Sequence, residues 1–125
     1  MINRIDHLVL TATDQPATVH FYSEVLGMQL EEFGNGRKAF RFGDQKINLH
    51  LKGKEFEPKA HLPVPGSLDI CLIAAIPLDE VIASLNAKSI SIVEGPVTRT
   101  GATGAIRSIY LRDPDLNLIE ISEYV

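Results

Sequence analysis

Ile5-Asp6-His7-Leu8-Val9-Leu10, near the start of the chain, and Leu68-Asp69-Ile70-Cys71-Leu72-Ile73, past its middle, read as two versions of one strand. Each is followed by a helical stretch and then by further strands. The first half closes on Ile47-Asn48-Leu49-His50-Leu51 and the second on Asn117-Leu118-Ile119-Glu120-Ile121. The order strand, helix, three strands therefore occurs twice. A half with one apolar-striped helix and a four-stranded sheet has one sheet face to cover, and its helix covers it. The concave faces left over are expected to form an open cup, a natural place for a ligand. The fold class expected is α+β, with paired βαβββ modules.

Local signals place the elements. Alternation over residues 4–12 puts Ile5, His7, Val9 and Thr11 on one face and Asp6, Leu8, Leu10 and Ala12 on the other. Asp14 reads as a helix N-cap, with Pro16 in the first turn where its missing N–H costs nothing. The helix predicted to follow ends near Leu26, at Gly27. Strands are expected at about 28–33, 38–42 and 46–52, joined by turns at Gly34-Asn35-Gly36 and Gly43-Asp44. Residues 54–66, with Pro58, Pro63, Pro65 and Gly66, read as a linker between a module of residues 1–53 and one of 67–125, the two making one domain. The second helix starts at Pro77, with Asp79 and Glu80 at its positive end. Strands are then expected at about 89–94, 106–112 and 117–124, with a flexible loop over Arg99-Thr100-Gly101-Ala102-Thr103-Gly104.

Composition narrows the function classes. Each half of the 125-residue chain is too small to bury much surface alone, so the halves are expected to fold together. The formal net charge of −4, with acids and bases interspersed, speaks against a nucleic acid or an anionic membrane as partner. No signal-like segment or long apolar run suggests secretion or a membrane span. The single cysteine, Cys71, sits in an apolar run and reads as a lone buried thiol. That is compatible with a reducing compartment, and a cytoplasmic location is expected.

Laid over each other, the halves set His7 opposite Asp69 and His50 opposite Glu120. Two imidazoles and a carboxylate are a common set of ligands for a divalent first-row metal. Each has a plain alternative: His7 as a rim histidine bonded to a carbonyl, His50 on a solvated strand face, Glu120 in an ion pair with Arg112 or Lys52. No His-Glu-x-x-His spacing is present. His20 on the first helix and His61 in the linker read as solvated. The Gly101–Gly104 loop opens no helix, so the dipole argument for phosphate binding fails there. Cys71 has no activating neighbour in sequence.

The segments Ile5-Asp6-His7-Leu8-Val9-Leu10, Phe21-Tyr22-x-x-x-Leu26-Gly27-Met28 and Asp113-Pro114-Asp115-x-Asn117-Leu118-Ile119-Glu120 resemble the vicinal oxygen chelate superfamily. This is the group of glyoxalases, bleomycin-resistance proteins and extradiol dioxygenases. Gly66-Ser67-Leu68-Asp69-Ile70-Cys71-Leu72-Ile73 and Arg99-Thr100-Gly101-Ala102 are similar to phrases in its small glyoxalase-domain members. The resemblance implies a metal cup and a homodimer that exchanges modules, with sites shared between chains. It implies one divalent ion (Ni, Mn, Fe, Co or Zn) held by His7, His50 and Glu120, with Asp69 as a fourth ligand and Glu120 as the group that moves a proton. Three positions depart from the family pattern. Asp69 stands where histidine is usual. Thr11 replaces a glutathione-binding arginine. Leu116 replaces a turn glycine, a costly exchange if the turn needs φ > 0.

The activity implied is a metal-dependent lyase or isomerase reaction, like that of lactoylglutathione lyase, on a small substrate with vicinal oxygens. Extradiol-type dioxygenase chemistry and thiol transfer of the fosfomycin type are rival enzyme readings. A metal-free, bleomycin-resistance-like binding protein is the reading from another class.

Overall fold

The computed structural model describes all of residues 1–125. The chain divides into two compact units, Met1–Ser67 and Leu68–Val125, so the Pro-rich linker groups with the first unit.

The first unit contains β1 (His7–Ala12), α1 (Gln15–Val19), β2 (Gln29–Phe33), β3 (Arg37–Phe42) and β4 (Gln45–Leu51). Asp14 caps α1 by accepting the Ala17 amide at 3.0 Å, and the helix runs on through a π-helical stretch, His20–Val25. Gly27, at φ 75°, then turns the chain into β2. The sheet order is β1-β4-β3-β2, with β1 parallel to β4 and the other pairs antiparallel. Side-chain alternation puts Leu10, Ala12, Phe40, Ile47 and Leu49 together on one face of this sheet, all buried. The helical segment lies against it: Tyr22 stacks on Phe40 at 5.2 Å and meets Phe21 edge-on at 5.0 Å. Each such fully buried side chain is worth about 1.5–3 kcal/mol over its exposed state.

The second unit repeats the plan with β5 (Asp69–Ile73), α2 (Leu78–Ala87), β6 (Glu94–Thr100), β7 (Ala105–Arg112) and β8 (Leu118–Tyr124). Its order is β5-β8-β7-β6, again with the first strand parallel to the last. Ile106, Ile109, Leu111, Ile119 and Ile121 are buried in its sheet, and Leu78 and Leu85 on α2. No side chain of its own caps α2; instead Glu123 on β8 accepts the Leu78 amide at 2.8 Å. Arg107 ties the same corner together, reaching Asp79 at 2.9 Å and Glu123 at 3.3 Å.

Two local expectations are corrected. The sixth strand is Glu94–Thr100, so residues 89–93 are irregular and Arg99 and Thr100 belong to a strand. Ser89, at φ 57°, ends α2 in the left-handed region, and its following residues are spent leaving the helix. Pro96 is tolerated because β6 is an edge strand. Cys71 is exposed. Its apolar run lies on the edge strand β5, where exposure alternates residue by residue from Asp69 to Ile73.

Candidate functional site

The parallel pairing of first and last strands in each unit decides which polar side chains share a face. In the first unit His7 is the register partner of Lys46, Val9 of Asn48 and Thr11 of His50. In the second, Asp69 is the partner of Leu118 and Cys71 of Glu120. Aligning the units through these ladders keeps His7 opposite Asp69. It sets Asn48, not His50, opposite Glu120, while His50 falls opposite Ser122. This corrects the pairing read from sequence. The physical reason is the side-chain period of two: His50 sits two residues beyond the equivalent position, so it keeps the right face at the wrong height.

The consequence for a metal is direct. His7 and His50 are four residues apart along paired strands, roughly 13 Å. Both imidazoles would have to lie flat and nose to nose to reach one ion at about 2.1 Å each. Instead His50 packs against Phe56 at 5.6 Å, and His7 turns to Asp6. Asn48 is two residues from the His7 level, roughly 7 Å along the strand.

Each candidate donor has a defined setting. His7 is exposed, and its Nδ1 lies 2.8 Å from Asp6 Oδ1. That hydrogen bond holds the Asp6 carboxyl below its ordinary range. A carboxylate on one ring nitrogen orients the other for a ligand, as in metal-binding histidines generally. Asn48 is buried, and its Oδ1 has no hydrogen-bond partner. Asp69 is exposed at the start of β5. Glu120 makes no ion pair with Arg112 or Lys52. Its Oε2 accepts from Ser108 Oγ at 2.6 Å and from Ser122 Oγ at 3.3 Å, and the two hydroxyls lie 2.7 Å apart. Short bonds to an ionised oxygen are the stronger kind. Both serine bonds fall on Oε2.

Cys71 Sγ joins this row at 3.3 Å from Ser122 Oγ, and partial burial of the thiol pushes its pKa upward. Beside it, Arg99 donates to the Tyr110 hydroxyl at 3.1 Å and to Glu94 at 3.2 Å.

His50 is buried at 3% exposure, with Nε2 unpartnered. Burial lowers its pKa from 6.5, helped by the positive charge of Arg37 and opposed by Glu55. His20 and His61 are exposed. No group of three or more His, Cys, Asp and Glu side chains that could hold a metal ion is present.

Sequence reasoning missed Asn48, Ser108 and Ser122. A usable signal existed for the first: Ile47-Asn48-Leu49 and Ile119-Glu120-Ile121 match as apolar-polar-apolar triplets. The serines alternate with buried isoleucines and could be assigned to Glu120 only through the β7–β8 register, which pairs Ser108 with Ser122.

Solved structures and curated proteins of the same kind exist. The chain is 59% identical to virulence protein STM3117 of Salmonella typhimurium, over 100% of this chain and 87% of that protein. The crystal structure of that protein superposes with a TM-score of 0.98, covering 100% of this chain and 99% of the other. Glyoxalase domain-containing protein RDO1 of Mycosarcoma maydis is 54% identical, over 98% of this chain and 69% of that protein. A lactoylglutathione lyase from Agrobacterium tumefaciens superposes with a TM-score of 0.73 at 25% identity, covering 98% of this chain and 94% of the other. Residues 4–121 match the family itself. With the doubled βαβββ plan and these likenesses together, the chain belongs to the Glyoxalase/Bleomycin resistance protein/Dioxygenase superfamily.

Proposed function

We propose that this protein binds one divalent metal ion at a site shared between the two chains of a homodimer, through His7 and the amide oxygen of Asn48 of one chain and the partner's Asp69 and the partner's Glu120, and acts as a metal-dependent lyase or isomerase of glyoxalase type. The observation that carries the reading is the repeated register. Both units set an oxygen or imidazole donor at the same first-strand position, His7 and Asp69, and at the same last-strand position, Asn48 and Glu120. One imidazole, two carboxylates and an amide oxygen suit a hard or borderline divalent ion. The oriented His7 ring, the unpartnered Asn48 oxygen and the anchored Glu120 carboxylate fit such an ion.

When bound, the metal polarises adjacent substrate oxygens and stabilises negative charge that develops on them. The chain's own part is positional. Ser108 and Ser122 tether Glu120 through Oε2, so Oε1 is the oxygen that takes and returns a proton beside a carbonyl. Asp6 fixes the His7 ring. Thr11, where the family carries a glutathione-binding arginine, argues for a substrate other than a glutathione adduct. Family resemblance supports a homodimer.

Elemental analysis of purified protein tests this. About one divalent ion per chain is expected in wild type and in His50→Ala, with loss in His7→Ala and Glu120→Ala. Loss in His50→Ala with retention in Asn48→Ala would restore His50 as the ligand. No metal, and no uptake from added divalent salts, would overturn the enzyme reading in favour of metal-free binding of a small molecule.

A further inference from the structure

The face of the first unit's sheet that carries His7 and Asn48 holds a second polar feature that the metal reading does not use. Thr11 and His50 are register partners across β1 and β4, and Phe33 and Arg37 are partners across β2 and β3. The same alternation puts all four on one face. The Arg37 guanidinium is held between two rings, 5.0 Å from the centre of Phe33 and 4.6 Å from that of Phe56. Phe56 also meets His50 edge-on at 5.6 Å. Lys46 lies over the other side of this patch, 4.0 Å from the Phe33 ring centre.

Glu55 acts on His50 through space, but no carboxylate pairs with Arg37. Lys38 and Arg41, on the same strand as Arg37, each pair with a glutamate. Arg37 makes no such pair and spends its charge on aromatic faces. His50 Nε2 is buried without a partner, and a buried polar atom left unpaired is destabilising. A protein that fixes a planar, five-donor guanidinium and an orphaned ring nitrogen beside each other has built half of an oxyanion contact.

We propose that Arg37 and His50, walled by Phe33 and Phe56, form a subsite for an oxyanion of the substrate. Resting on the metal reading, this narrows the substrate class. Asn48 and His50 are two residues apart on the same face of β4, roughly 7 Å. The substrate is then a small anionic molecule, with vicinal oxygens at one end and a carboxylate or phosphoryl group several bonds away. Phe56 lies in the irregular segment after β4 and is itself exposed, so the ligand reaches His50 by displacing that side chain.

The test uses chelator-treated protein, so that it is independent of metal binding. The His50 ring resonances, assigned by their absence in His50→Gln, are followed by NMR at one fixed pH during titration with sodium acetate, sodium phosphate or sodium chloride. A saturable shift with acetate or phosphate, absent with chloride, is expected in wild type and in Lys38→Gln. It is expected to vanish in Arg37→Gln, whose half-exposed position lets the fold stand. The tighter of the two anions tells a carboxylate from a phosphoryl group. Absence of saturable binding, or equal binding in Arg37→Gln, would overturn the subsite while leaving the metal assignment to be judged by its own analysis.

Discussion

Leu116 is the residue at which local cost is most visible. It sits at φ 68° with its side chain 68% exposed, in a region L-residues enter at a cost of about 1–2 kcal/mol. Asp113 imposes the conformation. Its carbonyl accepts the Leu116 amide at 2.9 Å, its Oδ1 accepts the Asp115 and Asn117 amides, and its Oδ2 accepts the Asn117 side chain at 2.7 Å. Since the leucine side chain contributes little packing, Leu116→Gly is expected to raise stability by about 1 kcal/mol, less what glycine returns in unfolded-state entropy. Urea denaturation checks it, and a midpoint lowered by the full entropic cost of a glycine, about 0.4–1 kcal/mol, would refute the strain. The departure from a turn glycine was legible in sequence; that the turn keeps its left-handed geometry regardless was not, because residue types alone do not show that Asp113 accepts four hydrogen bonds from the next few residues.

His50 makes a second prediction at this scale. Its folded pKa lies below the ordinary 6.5, so the unfolded chain binds the proton more tightly. Stability therefore falls as pH drops from the unfolded value through the lower folded one, and recovers above 6.5. His50→Gln is expected to flatten the stability profile in that window. A profile with the same slope in both proteins would place the titrating group elsewhere.

Elements were read with uneven success, and capping explains the difference. The Asp14-x-Pro16 start and the Gly27 stop bracket the first helix by strong local chemistry, and the structure uses both. Asp14→Ala is expected to cost about 1 kcal/mol, measured as a lower thermal or urea midpoint. The second helix has no cap in its own sequence: Glu123, far along the chain, does the work. For the same reason β6 was misplaced. Residues 89–93 include β-prone apolar side chains but follow a helix end in the left-handed region, while Arg99-Thr100, read as the start of a loop, pairs with β7. Propensity is a weak guide on an edge strand, where one partner ladder decides.

For the whole molecule, metal binding links to stability. A ligand bound only by the folded state at a hundred times its dissociation constant adds about 2.7 kcal/mol. Chelation is therefore expected to lower the thermal midpoint, and re-addition of the native divalent ion to restore it, with no effect of either in Glu120→Ala. A chelator-insensitive midpoint in wild type would contradict the metal proposal. No helix is long and apolar enough to cross a membrane.

The duplicated strand-helix-strands plan, the α+β class and family membership were all determined by the amino-acid order itself. They depend on local periodicity, caps and turns, which short stretches such as Ile5–Leu10 and Leu68–Ile73 carry complete. The strand faces of His7, Asp69 and Glu120 were legible too, because alternation assigns a face without reference to anything distant. Only tertiary structure decided the height of each of these side chains on its face. The β1–β4 and β5–β8 ladders join segments about forty to fifty residues apart, and nothing local sets their register. That register gave Asn48, not His50, the position equivalent to Glu120, tethered Glu120 to Ser108, and brought His50 and Arg37 to the same level of one sheet face.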